Sequence, residues 1–376
     1  MRVLLSALCL LAFAGLGMAQ EKKEDKKELT LKEKIAEVNK DFQAATKDVN
    51  KKYNEAKTPQ EKQAVIAENN AEQAKAGEKL FALAKENAKD EAAFDAVMAA
   101  KAMGVKSAGE YLMSAFADDA RIVKVIPQLG AGENGPKTLN LLAEKSKSKD
   151  VRGAAKFAII SSEIESTDYP RSGTPLPEKE AAAKFAAATA QLAKLVADYG
   201  DIKTASARPG AAPTVAEASK KLKFFIENLT VGKMAPDAEC ELLEEGKKAK
   251  LSDYRGNVVV LDIWATWCGP CIAMIPHERE MVKKLEGKKF KLVSVSADTK
   301  KDTLVKFLEK SKDTKNDMPW THWWAGNNGG LTEEYQVRFY PTVYILDGKG
   351  VIRGKHLRGD DLEHFVEKLL AEASPK

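Results

Sequence analysis

The sequence predicts two architectures in one chain: a mostly α-helical N-terminal domain and, after about residue 230, an α/β domain whose mixed sheet is flanked by helices. Three observations carry this. All five tryptophans (Trp264, Trp267, Trp320, Trp323 and Trp324) lie after residue 230. Before that point the chain is rich in Ala, Lys and Glu with a helical period, and after it short apolar runs alternate with helical ones. Asp347-Gly348-Lys349-Gly350 reads as a hairpin turn between the last two apolar runs. Alternation followed by a closing hairpin puts parallel and antiparallel pairs in one sheet. A chain of 376 residues is also too long for one ordinary domain.

Residues 1–19 read as a secretory signal peptide. Arg2 supplies the positive start, Val3 to Leu16 is apolar, and Gly17-Met18-Ala19 offers small residues before the charged run from Glu21. The apolar stretch is shorter than the ~20 residues a spanning helix needs. The expected location is therefore outside the cytoplasm, in the periplasm or cell envelope. Removal of this segment takes Cys9 with it and leaves Cys240, Cys268 and Cys271. Those are too few for a disulfide-stapled scaffold and fit a catalytic pair plus one odd thiol.

Residues 20–229 are expected to form the helical domain, with a hairpin over 28–90 and helix pairs continuing to 228. Ile35, Val38, Phe42, Ala45 and Val49 recur three and four apart, which is one apolar helical stripe. Thr58-Pro59-Gln60-Glu61 reads as an N-cap, a first-turn proline and a capping-box acid opening a second helix that runs to about Asn87. Ser107-Ala108-Gly109-Glu110 predicts another capping box. Further helices are expected at 136–147, 150–165, 178–198 and 214–228, broken at Leu129-Gly130-Ala131-Gly132, Tyr169 to Pro177 and Arg208 to Pro213. Asp150-Val151-Arg152-Gly153-Ala154-Ala155 resembles an α-solenoid repeat, without a clean period. The charges here read as a solvated face, and none has catalytic spacing.

In residues 230–376, strands are expected at 258–264, 290–297, 320–325, 342–347 and 350–357. Helices are expected at 269–285, 300–312, 331–337 and 360–372. Trp267-Cys268-Gly269-Pro270-Cys271 falls between the first strand and the first helix. Cys268 at a helix N-terminus meets unpaired N–H groups and the positive end of the dipole, which favour its thiolate. Cys271, one turn deeper, is expected to resolve the mixed disulfide that Cys268 forms, leaving a redox-active Cys268–Cys271 disulfide. Gly269 and Pro270 allow a tight helix start. Asp262 stands six residues before Cys268 inside an apolar strand, where a carboxylate is costly unless it has a role. The expected role is proton acceptor for Cys271, at a pKa raised by burial. Pro341, in Tyr340-Pro341-Thr342 at the head of a strand, is a further candidate: a cis bond there would set backbone beside the cysteines, where it can pair with a substrate strand.

These pieces together resemble the thioredoxin superfamily, in its envelope-facing TlpA/ResA-like, redoxin-domain branch. The residues carrying the resemblance are Gly232 with Ala235-Pro236-Asp237, Leu251-Ser252-Asp253-Tyr254-Arg255-Gly256, the run Asp262 to Cys271, Pro276, and Tyr340-Pro341-Thr342. The resemblance covers about 40% of the chain. It implies an α/β thioredoxin fold, a cis-Pro at Pro341, a kink at Pro276, an extra strand–helix insertion over about 291–325, and thiol–disulfide exchange through Cys268 and Cys271. Cys240 then falls on the first strand, where a buried small hydrophobe is expected. The chain departs from many envelope members in two places. It has Asp262 where they carry Asn, and Met274 where they carry an acid.

The resulting expectation is an exported thiol-disulfide oxidoreductase with no cofactor, acting on protein thiols and disulfides and fed by a membrane electron donor. The Gly-Pro dipeptide of thioredoxin biases it toward reduction, and keeping apocytochrome c thiols reduced is a role known for relatives. Two other readings stand beside it: a peroxiredoxin-like thiol peroxidase, and a helical binding or scaffold protein with an auxiliary redox centre. Thr266-Trp267 ahead of Cys268 lacks the Pro-Thr/Ser-Cys setting of a peroxidatic thiol. Structural zinc wants four ligands, and the four histidines have no ligand spacing, so metal binding is not expected. The 60 basic and 55 acidic residues are mixed, with no basic stripe for nucleic acid.

Overall fold

The computed structural model describes residues 29–169, 176–205, 213–243, 247–326 and 330–373. The expected signal peptide lies outside the described residues, as do parts of the expected breaks at 169–177 and 208–213. The described residues fall into two compact units, one ending at Phe116 and the other starting at Ala117.

The first unit holds α1 (Leu31–Glu55), α2 (Pro59–Glu86), α3 (Ala92–Ala102) and α4 (Lys106–Phe116). The Thr58 capping box is present. Thr58 accepts from the Glu61 N–H, and the Glu61 carboxylate accepts from the Thr58 N–H. A second box, Thr30 with Glu33, opens α1. The two long helices are tied by the Lys52–Glu68 ion pair at 2.7 Å. The capping box expected at Ser107 is absent, because α4 begins earlier, at Lys106. The chain turns at Gly104, whose φ of +92° suits a residue without Cβ. Ala108 then donates to the Val105 carbonyl, so Ser107 already lies inside the helix.

The second unit opens with α5 (Ile122–Leu129), α6 (Gly135–Lys145), α7 (Lys149–Asp168), α8 (Glu178–Tyr199) and α9 (Val215–Asn228). Ile160, Ile164, Phe185, Leu192, Leu195 and Leu222 form a core shared by α7, α8 and α9. The sheet follows: β1 (Glu239–Leu242), β2 (Lys248–Lys250), β3 (Val258–Trp264), β4 (Phe290–Ser296), β5 (Thr321–Trp324), β6 (Thr342–Leu346) and β7 (Ile352–Lys355). Its order is β2-β1-β5-β4-β3-β6-β7. β3, β4 and β5 run parallel; β6 is antiparallel to β3, and β7 to β6. The helices are α10 (Gly269–Lys284), α11 (Lys301–Ser311), α12 (Leu331–Glu334) and α13 (Gly359–Ala373). This is the α/β thioredoxin fold expected for the C-terminal part.

Every residue of central β3 is buried, so it reads as a continuous apolar run broken only by Asp262. Its odd positions Val259, Leu261 and Ile263 face a core shared with Leu229, Tyr335 and Tyr344. Its even positions Val258 and Val260 face α10 and α13 through Met281, Leu285, Leu362 and Val366. Phe225 of α9 packs against both the helical core and the odd face of the sheet. The hairpin turn forms as expected. Asp347 Oδ1 accepts from the N–H groups of Lys349 and Val351 at 2.9 and 3.0 Å, and Gly350 takes φ +85°.

Candidate active site

The strand-to-helix turn after β3 positions the cysteines. Thr266 is clamped by Asp298, whose two carboxylate oxygens accept from the Thr266 N–H (3.1 Å) and the Thr266 hydroxyl (2.8 Å). Ser296 donates to the same carboxylate at 2.7 Å, and the Trp324 indole N–H donates to the Asp298 carbonyl at 2.7 Å. Asp298 is thereby a buried carboxylate with its acceptors filled, which makes its burial tolerable.

Cys268 is the N-cap of α10 and is disulfide-bonded to Cys271. Its sulfur accepts from the Cys271 N–H at 3.2 Å. Pro270, in the first turn, brings no N–H of its own. Both cysteines are buried, and they share a cluster with Trp264, Ile275 and Tyr340. Trp267 instead stands 64% exposed and meets the Tyr340 ring edge-on at 5.5 Å. The Tyr340–Pro341 peptide is cis. The Trp267–Tyr340 contact therefore brings the Pro341 loop to the Cys268–Cys271 turn. Gly269 meets nothing within 4 Å at its Cβ position, leaving open space beside the disulfide.

Asp262 lies on the even face of β3, 3% exposed, with Ser294 of β4 and Val343 of β6 as its register neighbours. Its Oδ1 has no hydrogen-bond partner among the described residues. Burial pushes its pKa up to about 7, and the Arg358 charge opposes that rise. Sequence reasoning missed one residue here. Glu278, seven positions after Cys271, is 2% exposed, and its Oε1 has no partner among the described residues. Burial first, and then the Asp262 charge, hold its carboxyl well above the usual range. The available signal was the helical register: Cys271, Ile275, Glu278 and Met281 are the buried residues of α10.

Residues 231–355 match the AhpC/TSA family. Thiol-disulfide oxidoreductase ResA of Bacillus thuringiensis subsp. konkukian (strain 97-27) is 30% identical over 149 residues, spanning 40% of this chain and 82% of that protein. This chain belongs to the thiol-disulfide oxidoreductases. Thioredoxin-like protein YneN of Bacillus subtilis (strain 168) is 36% identical over 139 residues, covering 37% of this chain and 78% of that one. Thiol:disulfide interchange protein DsbE of Vibrio cholerae serotype O1 is 30% identical over 159 residues, covering 39% and 80%. The family match begins at residue 231, so α1 to α9 of this oxidoreductase lie outside it.

Among the described residues one further thiol, Cys240, sits on β1 opposite Ala249 and is buried and outside the disulfide. Burial pushes its pKa up to about 12, so it holds its proton at neutral pH. Alkylation of the native, reduced protein with iodoacetamide is therefore expected to label Cys268 at least about 100-fold faster than Cys240, because burial keeps the Cys240 thiol protonated. Equal rates, read by peptide mass, would show Cys240 to be a third reactive thiol.

Proposed function

We propose that this chain is an exported reductant of protein disulfides. The observation that carries the chemistry is the Cys268–Cys271 pair at the N-terminus of α10, beside the Pro341 loop. In the reduced protein the Cys268 thiolate attacks a substrate disulfide. One substrate sulfur leaves as a thiol, and the other stays on Cys268 as a mixed disulfide. Cys271 then gives its proton to Asp262 and attacks the Cys268 sulfur. The Cys268–Cys271 bond forms and the second substrate thiol departs, so the substrate gains two electrons and the pair loses them. The Pro341 loop offers backbone beside the exposed Trp267 ring, where a substrate strand can lie.

Reduction is favoured by Gly269-Pro270, the dipeptide of thioredoxin. Export is favoured by the pattern of residues 1–19. In an oxidising compartment the pair needs electrons from a membrane donor, and holding apocytochrome c thiols reduced for haem attachment is the use this reading proposes. Equilibration of the full mature chain with glutathione buffers tests the direction. A potential near the roughly −270 mV of thioredoxin is expected, and one near the roughly −120 mV of a strong oxidant reverses the assignment.

A further inference from the structure

The packing of α10 on β3 runs in step. Trp264, at the top of the even face of β3, packs with Cys271 and Ile275. Val260 and Val258, lower on the same face, pack with Met281 and Leu285. Asp262 lies between Trp264 and Val260, and Glu278 lies between Ile275 and Met281. The register therefore sets the two carboxyls opposite each other, directly below the resolving cysteine. Each carries an oxygen without a partner among the described residues. The surroundings are otherwise nearly uncharged. β4 presents Ser294, β6 presents Val343, α13 presents Leu362 and Val366, and Arg358 just ahead of α13 is the charge that acts on Asp262. Two buried carboxylates with no cation between them cannot both ionise cheaply, and the Asp262 charge acts on Glu278, so one carries charge only while the other stays a neutral, polar carboxyl beside it.

We propose that Asp262 and Glu278 hold one proton between them at neutral pH, and that Glu278 is the positioning residue that keeps Asp262 charged and able to take the Cys271 proton. The inference rests on the exchange mechanism above. During resolution the Cys271 proton moves to the vacant carboxylate of the pair. The Cys271 thiolate bonds to the Cys268 sulfur, and the substrate thiolate leaves with the electron pair of the broken bond. The doubly protonated pair then returns one proton to water.

The test uses the full, reduced chain and 5,5′-dithiobis(2-nitrobenzoate). Attack by Cys268 releases one thionitrobenzoate, and resolution by Cys271 releases the second, so the second release followed against pH isolates the step. Glu278→Leu removes the polar neighbour and leaves Asp262 buried alone among apolar groups, which is expected to move the midpoint of fast resolution up by about one pH unit or more. Glu278→Gln keeps a neutral polar group of the same size there and is expected to hold the midpoint within about 0.3 unit of the parent. Unchanged midpoints in both variants overturn the proposal. So does a downward shift in both, which would mean two charged carboxylates that merely repel. Asp262→Asn separates this from failure of the mechanism itself. If its profile keeps the parent's pH step, Asp262 is not the acceptor, whatever Glu278 does.

Discussion

Replacing Asp262 with leucine is expected to stabilise the oxidised protein by about 2–4 kcal/mol above pH 7 while slowing closure of the disulfide on the order of 100-fold. The stability sign follows from linkage. The Asp262 carboxyl has an ordinary value of 3.8 and is raised to about 7 in the folded chain. Between those values the folded state binds more protons than the unfolded one. The parent therefore loses stability as pH rises from about 4 through about 7, and the loss is complete above that. At roughly 1.36 kcal/mol per unit the full cost is about 4 kcal/mol, and the leucine variant escapes it. Glu278, raised in the same direction, leaves part of the slope in place. Urea unfolding of the oxidised forms at pH 5 and pH 8 measures the difference. A gain that is no larger at pH 8 than at pH 5 would show that ionising Asp262 costs the fold nothing. The rate loss follows because Cys271 then has no carboxylate to take its proton.

The second large effect concerns stability alone. Lys355, at the end of β7, donates to Asp168, the last residue of α7, at 2.6 Å, and their side chains are 3% and 8% exposed. The Lys355 ammonium also lies over the Phe225 and Tyr344 rings, at 4.6 and 5.0 Å. Burial pushes the lysine down and the carboxyl up, each toward its neutral form, and each partner's charge resists that. Asp168→Ala leaves a buried ammonium without its counter-ion and is expected to cost about 3–5 kcal/mol. Asp168→Leu combined with Lys355→Met removes both charges, and is expected to fall within about 1–2 kcal/mol of the parent. A double variant as unstable as the sum of its singles would mean that the pair contributes through packing rather than charge.

The parts of the molecule that were legible are those where one pattern has one physical meaning. The apolar run of β3 ends at Trp264 as read, because a fully buried strand tolerates no polar residue without a reason. α10 starts at Gly269 because a helix needs a cap and Cys268 serves as one. Other elements were hidden by weak or contradictory patterns. α3 buries small side chains, Ala93, Ala96 and Ala100, which make no visible stripe. α5 carries Pro127 in its last turn, which reads as a break. β2 is three residues long with only Ala249 buried. Charges were the hardest to place. Asp168 fell among the charges read as a solvated face, and Glu278 drew no reading at all, because nothing local tells a buried carboxylate from an exposed one. Each depends on a partner brought in by the fold, Lys355 from 187 residues away and Asp262 from the facing strand.

The double attachment of Phe225 bears on how the protein can be cut. The family match starts at residue 231, yet Leu229 and Phe225 cover the odd face of the sheet from just before that point. A fragment beginning at the boundary of ancestry would carry the whole redox centre and lack part of its own lid. It would bare Tyr344 and the odd side of β3 to water, an apolar patch of the sort that drives self-association. For this chain the smallest soluble piece is set by packing, and it reaches back into helices that lie outside the family match.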